Sequence, residues 1–142
     1  MAGRSPDDHL LPPVPYLLTS VFIEGDLPAI RQRLVVIARE CGLPGDRAGD
    51  WVIAVNELMA NAIRHGDGRG RLHVWRDGDL CCEVRDWGPG FDARPYVRRR
   101  DRPPPSANGG MGLWIAQQMS QAMHIDSGPS GTVVVLRTSL VG

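Results

Sequence analysis

The segment from Asp46 to His65 constrains the fold more than any other part of the chain. Its apolar residues Trp51, Val52, Val55, Leu58, Met59, Ala62 and Ile63 recur every three or four positions, the period of a helix with one buried face. Gly66 closes it. A helix of that length must cover its apolar stripe, and the residues that follow supply a cover. Arg71 to Arg76 and Leu80 to Asp86 read as two strands. Asp77-Gly78-Asp79 between them is a hairpin turn.

The rest of the chain extends this layered plan. Residues 1–15 hold four prolines and little periodicity, and read as a mobile tail. Tyr16 to Ile23 is a first strand. Asp26 caps a helix that tolerates Pro28 in its first turn, with Leu27, Ile30, Leu34, Ile37, Ala38 and Cys41 on one face and Gly42 as its stop. Trp87-Gly88-Pro89-Gly90 ends the strand after the hairpin. Residues 91–108 are irregular, with four prolines and five arginines, and a loop this long inside a compact domain is usually a functional lid or disordered. Gly109-Gly110-Met111-Gly112 leads into a third helix whose apolar face is Leu113, Ile115, Ala116, Met119 and Met123. Two strands follow, near His124 to Ser127 and Thr132 to Ser139, joined by G-P-S-G. The expected fold is α+β: a two-layer sandwich in which one mixed sheet carries helices on one face. Residues 16–142 form the single domain.

Composition excludes several chemistries. The 142 residues balance 16 basic against 16 acidic side chains, which does not suit a nucleic-acid binder. Every basic residue is arginine. Without lysine there is no G-x-x-x-x-G-K phosphate loop and no Schiff-base chemistry. The H-E-x-x-H and G-x-S-x-G patterns are also missing. No apolar run reaches the roughly 20 residues of a membrane helix, and the first residues lack the apolar stretch of a signal peptide. Cys41, Cys81 and Cys82 make no even framework and read as small buried residues in a reducing cytoplasm.

Four features carry chemistry. Glu57, Asn61 and His65 stand at i, i+4 and i+8 on the long helix. They drift only about 40° per step, so they line one ridge beside the apolar stripe. A carboxamide oxygen there suits Mg²⁺, and a carboxylate suits the orientation of a nucleophile. Taken alone, such residues are ordinary on a solvated helix flank. Asp86 ends an apolar strand before W-G-P-G, where a carboxylate can accept from the exocyclic amine of a base and glycines let a planar ring approach. Taken alone, it is equally a turn-initiating aspartate. Gly109, Gly110 and Gly112 precede a helix N-terminus, whose amides bind phosphate. Gly131-Thr132 opens the last strand with a hydroxyl.

These features fall in one order, and in that order the sequence resembles the GHKL superfamily of ATPases with the Bergerat nucleotide fold. E-L-M-A-N-A-I-R-H-G, Glu57 to Gly66, is similar to the N box; D-W-G-P-G-F, Asp86 to Phe91, to the G1 box; G-G-M-G-L-W-I, Gly109 to Ile115, to the G2 box. The short form with N-A-I-x-H-G is most similar to the anti-sigma factor serine kinases. The resemblance implies a Mg²⁺-binding Asn61 and a general-base Glu57. It implies an adenine-reading Asp86, with Gly88 and Gly90 beside the base. Gly110, Met111, Gly112 and Leu113 would lie near the phosphates, and Thr132 near the base. Some of these kinases carry an arginine where Asn108 stands here; Arg98, Arg99, Arg100 and Arg102 of the lid are its candidate replacements.

The resemblance further implies ATP and Mg²⁺ as cofactors. The partners it implies are a sigma factor of RNA polymerase and an anti-sigma antagonist protein that receives phosphate on a serine. No direct contact with nucleic acid or membrane is expected, and the helix after Asp26 would leave an apolar edge suited to a homodimer. A rival reading is a nucleotide-responsive module that sequesters a partner without transferring phosphate. A third, the detached catalytic domain of a histidine kinase, is disfavoured by the lack of a dimerising coiled coil.

Overall fold

The structure, a computed structural model, describes residues 15–90 and 110–140. Gly109 and the lid expected over 91–108, with Arg98, Arg99, Arg100, Arg102 and Asn108, lie outside these residues, as does nearly all of the expected tail. The elements are β1 (Tyr16–Ile23), a 3-10 turn (Glu24–Asp26), α1 (Leu27–Glu40), α2 (Gly45–His65), β2 (Arg69–Asp77), β3 (Asp79–Asp86), α3 (Gly110–Gln118), β4 (Ala122–Gly128) and β5 (Gly131–Thr138).

The five strands form one sheet in the order β1-β2-β3-β5-β4, and every neighbouring pair is antiparallel. The expected mixed sheet is thus corrected. Because β3 and β4 each run antiparallel to β5, they are parallel to each other, joined through α3 as a crossover unit would join them. The β4–β5 hairpin folds back so that β5 enters between them, and the parallel pair never touches.

The period-2 alternation of the strands puts Leu18 and Phe22, Leu72 and Val74, Leu80, Cys82 and Val84, and Val134 and Leu136 on one face. This face meets Leu34, Trp51, Val55, Leu58, Met59, Leu113 and Ala116 of the three helices in one core. Burying a side chain of the Val, Leu or Met class stabilises by about 1.5–3 kcal/mol, so this interleaving holds the two layers together. Arg31 Nη1 donates to Asn56 Oδ1 at 3.1 Å and adds a polar tie between α1 and α2. The opposite face of the sheet carries Glu83, which is buried and has Arg71 3.6 Å and His73 3.9 Å from its Oε1.

Helix ends depart from the expectations in three places. Asp26 does precede α1, but it makes no side-chain cap to that helix; its Oδ2 accepts from the Ile23 amide at 3.0 Å and closes the 3-10 turn. Gly66 ends α2 with φ −115°, outside the left-handed region, and the reversal is made by Asp67 at φ 68° and Gly68 at φ 77°. Met119 and Met123 do not extend the third helix: it stops at Gln118, and Met123 lies in β4 opposite Leu136. Of the cysteines, Cys81 and Cys82 are buried, Cys41 is partly exposed, and all are free thiols. Among the described residues no helix is long and apolar enough to cross a membrane.

The layering predicts a sharp contrast along α1. Leu34 is fully enclosed, whereas Val36 is 50% exposed. Leu34→Ala should destabilise the protein by about 2–5 kcal/mol in urea unfolding. Val36→Ala should change it by no more than about 0.5 kcal/mol. Similar losses at both positions would contradict the placement of α1.

Candidate functional site

The site is built on the last three turns of α2, because that helix lies under the centre of the sheet and its exit faces the ends of β3 and β5. Leu58, Met59 and Ala62 lock the helix to the core, and this fixes where the intervening polar residues project. Asn61 is buried at 6% exposure, and its Oδ1 has no hydrogen-bond partner among the described residues. That overturns the reading of the ridge as a solvated flank at this position. Glu57 and His65, one turn to either side, are partly exposed.

Gly112 brings α3 against this ridge. A Cβ added at Gly112 would lie 3.0 Å from Glu57 Oε2. The glycine therefore lets the first turn of α3 sit directly beside the carboxylate. The structure thus joins two segments more than fifty positions apart that sequence spacing could only place in order. Leu113 is fully buried in the core, so any ligand contact there falls to its backbone. Gly110 and Met111 open α3, where the amides of a first helical turn are unsatisfied and suit an anion.

Asp86 lies at the other end of the site. It ends β3 opposite Thr132 of β5 and is 4% exposed. One carboxylate oxygen, Oδ1, accepts the Gly88 amide at 3.0 Å and the Thr132 amide at 3.2 Å. The carboxylate is thereby held in one orientation, and no donor among the described residues reaches Oδ2. Burial pushes its pKa above the ordinary carboxylate value, against the lowering effect of those two amides and of His65 and Arg85. Burial lowers the pKa of His65, helped by Arg64 and opposed by Asp86. Thr132 Oγ1 pairs with Ser127 Oγ of β4 at 2.7 Å.

The two glycines after Asp86 have a further reason to be glycine. A Cβ at Gly88 would lie 2.2 Å from the His65 carbonyl oxygen, and one at Gly90 would lie 2.3 Å from that of Gly128. The space a side chain would need is filled by protein backbone, so these residues join the β3 exit to α2 and to the β4–β5 turn. Sequence reasoning missed three participants. Gly66 reads as a helix stop, Gly131 as part of a turn, and Ser127 as an ordinary strand residue. Only their contacts with Asp86 or Thr132 reveal them.

The donor set fits Mg²⁺ of the kind that keeps water and phosphate ligands. Among the described residues no group of three or more His, Cys, Asp or Glu forms a cage, and the buried, unpartnered Asn61 oxygen offers one hard ligand. The buried carboxylate of Asp86, the buried amide oxygen of Asn61 and the helix N-terminus beside Glu57 are groups of the kinds that meet a base amine, a hard cation and phosphate.

Residues 23–138 match the family model of the histidine kinase-like ATPase domain. Among solved structures, the RsbU and RsbW domains of a Mycobacterium tuberculosis protein superpose with TM-score 0.61 at 20% identity, covering 89% of this chain and 33% of that one. The histidine kinase domain of an Erythrobacter litoralis blue-light activated histidine kinase gives 0.56 at 21%, covering 80% and 65%. The mycobacterial sensor histidine kinase MprB gives 0.51 at 19%, covering 86% and 99%. The chain thus spans a third of the first and just under two thirds of the second. These likenesses show the fold. No curated protein matches.

The raised pKa of Asp86 predicts a pH-dependent cost. With the folded value above the unfolded one, the contribution of this carboxyl to stability is full below the unfolded value, about 3.9. It is lost as pH rises through the folded value. Asp86→Asn keeps the shape and does not ionise. In the nucleotide-free protein it should therefore raise the urea midpoint at pH 7, with the advantage shrinking as pH approaches 4. A variant less stable than the parent at pH 7 would contradict the assignment of burial as the dominant cause.

Proposed function

The chain belongs to the histidine kinase-like ATPase family, and from that premise we propose that it is an ATP- and Mg²⁺-dependent protein serine kinase acting as an anti-sigma factor. In this reading it binds a sigma factor of RNA polymerase and phosphorylates a serine of an anti-sigma antagonist protein. The observation that carries the proposal is the buried Asn61 oxygen, without a partner among the described residues and one turn from a Glu57 that lies against the first turn of α3. The similarity of N-A-I-R-H-G to the anti-sigma factor serine kinases supports serine as the acceptor, as does the RsbW-domain neighbour.

Each residue has a role derived from its place. Asp86 accepts the exocyclic amine of adenine through Oδ2, since Oδ1 is taken by two amides. Gly88 and Gly90 let the backbone beside the base pack against α2 and the β4–β5 turn, and the Ser127–Thr132 hydroxyl pair sits at the same end. Asn61 holds the metal. Gly110, Met111, Gly112 and Leu113 present backbone amides toward phosphate. Glu57 aligns the serine hydroxyl and takes its proton. Mg²⁺, when bound, supplies charge neutralisation of the phosphates; phosphoryl transfer is otherwise a matter of positioning and electrostatics. The second reading, a module that binds nucleotide and partner without transfer, is favoured by Asn108 at the place where some of these kinases carry arginine.

The two readings separate on two substitutions and one assay. Asn61→Ala should weaken Mg²⁺-nucleotide binding and phosphate transfer together. Glu57→Ala should leave binding near the parent value and slow transfer by about 10²–10⁴-fold, the effect of a lost general base. The measurement is nucleotide affinity by calorimetry together with transfer of γ-labelled phosphate to candidate antagonist proteins. A parent that holds ATP and a sigma factor yet labels no serine would leave the sequestering module standing. Acid-labile label on a histidine would make the chain a histidine kinase instead.

A further inference from the structure

The exit of α2 approaches Asp86 more closely than any side chain would allow. Gly66 is buried, with φ −115° and ψ 37°, a negative φ that does not call for glycine. What calls for glycine is space. A methyl group there would lie 2.1 Å from Asp86 Cβ, 2.5 Å from its Cγ and 2.3 Å from the Ala62 carbonyl oxygen. On the far side of Asp86, a Cβ at Gly131 would lie 2.1 Å from the Asp86 carbonyl oxygen. The Asp86 side chain is thus closed in by α2, its backbone is closed in by β5, and Oδ1 is tied to the Gly88 and Thr132 amides. No donor among the described residues holds its other oxygen, Oδ2.

We infer that Gly66 is a positioning residue that sets the base specificity of the site. By leaving room for the Asp86 side chain against the last turn of α2, it aims Oδ2 at the 6-amino group of adenine. The same turn carries Ala62 and, one residue earlier, Asn61. The end of α2 therefore sets the base reader and the metal ligand as one unit. This inference rests on the proposed role of Asp86, and the test below separates the two.

The probes are ATP and purine riboside triphosphate, which lacks the 6-amino group, each with Mg²⁺ and titrated calorimetrically into the full chain. The parent should prefer ATP by about 10- to 100-fold, the range for one hydrogen bond to a charged acceptor. Gly66→Ala should bind ATP more weakly and prefer it by less than about threefold, because a displaced carboxylate no longer meets the amine. A structural role alone would weaken both probes equally and keep their ratio. An unchanged ratio in Gly66→Ala, beside a discriminating parent, overturns the inference. A parent that does not discriminate, or an Asp86→Asn variant that discriminates as well as the parent, defeats the proposed role of Asp86 itself.

A second measurement holds even if Gly66→Ala folds poorly. Asp86→Gly removes two of the three atoms a Gly66 methyl would strike and leaves only the Ala62 carbonyl oxygen, so Gly66→Ala should cost less stability in that background than in the parent. Equal cost in both backgrounds would show that the Asp86 side chain is not what Gly66 accommodates, and would overturn the inference.

Discussion

The last turn of α2 and the end of β3 meet at two glycines, with only the Asp86 side chain between them. Gly88 leaves its Cβ position to the His65 carbonyl, and Gly66 leaves its own to Asp86. From this contact the rest of the site follows. It places the aspartate between helix and strand, and it orients the helix whose preceding turns carry Asn61 and Glu57. It also requires that α2 end where it does, so the left-handed reversal at Asp67 and Gly68 follows at once. The core under α2, with Leu58, Met59 and Ala62, holds the helix axis against the sheet.

The site works against the stability of the fold that carries it. A carboxylate buried to 4% exposure is harder to ionise than one in water, and a buried amide oxygen with no partner among the described residues loses hydration with nothing from them in return. Neither helps the nucleotide-free protein. Both make sense under the proposed function, as groups kept ready for an amine and for a hard cation. The two backbone amides on Asp86 Oδ1 offset part of the cost and fix the orientation in which the remaining oxygen waits. The apolar sandwich supplies the surplus that tolerates these two groups.

Much of this was legible in the chain. The three- and four-residue recurrence in 46–65 found α2, the D-G-D signal found the β2–β3 hairpin, and the ordered boxes singled out Glu57 and Asn61 on α2, Asp86 at the end of β3 and Thr132 at the start of β5. What stayed hidden depends on segments distant in sequence. The antiparallel sheet follows from β5 entering between β3 and β4, and no local pattern records that. The burial of Asn61 depends on what packs over its ridge, whereas periodicity reports only the face it shares. Met123 carries the spacing of a helical face but pairs with Leu136 in β4. Gly66 looked like a cap because glycine after a helix usually is one; its φ shows that the residue answers to space rather than to backbone conformation.

The most direct test of the central claim, that the α2–β3 contact frames a metal-assisted purine nucleotide site, is a calorimetric titration of the full chain with ATP in excess Mg²⁺ and again in the presence of a chelator. The account predicts one nucleotide per chain, with affinity that falls when the metal is withdrawn. No binding under either condition, or binding indifferent to the metal, would contradict it.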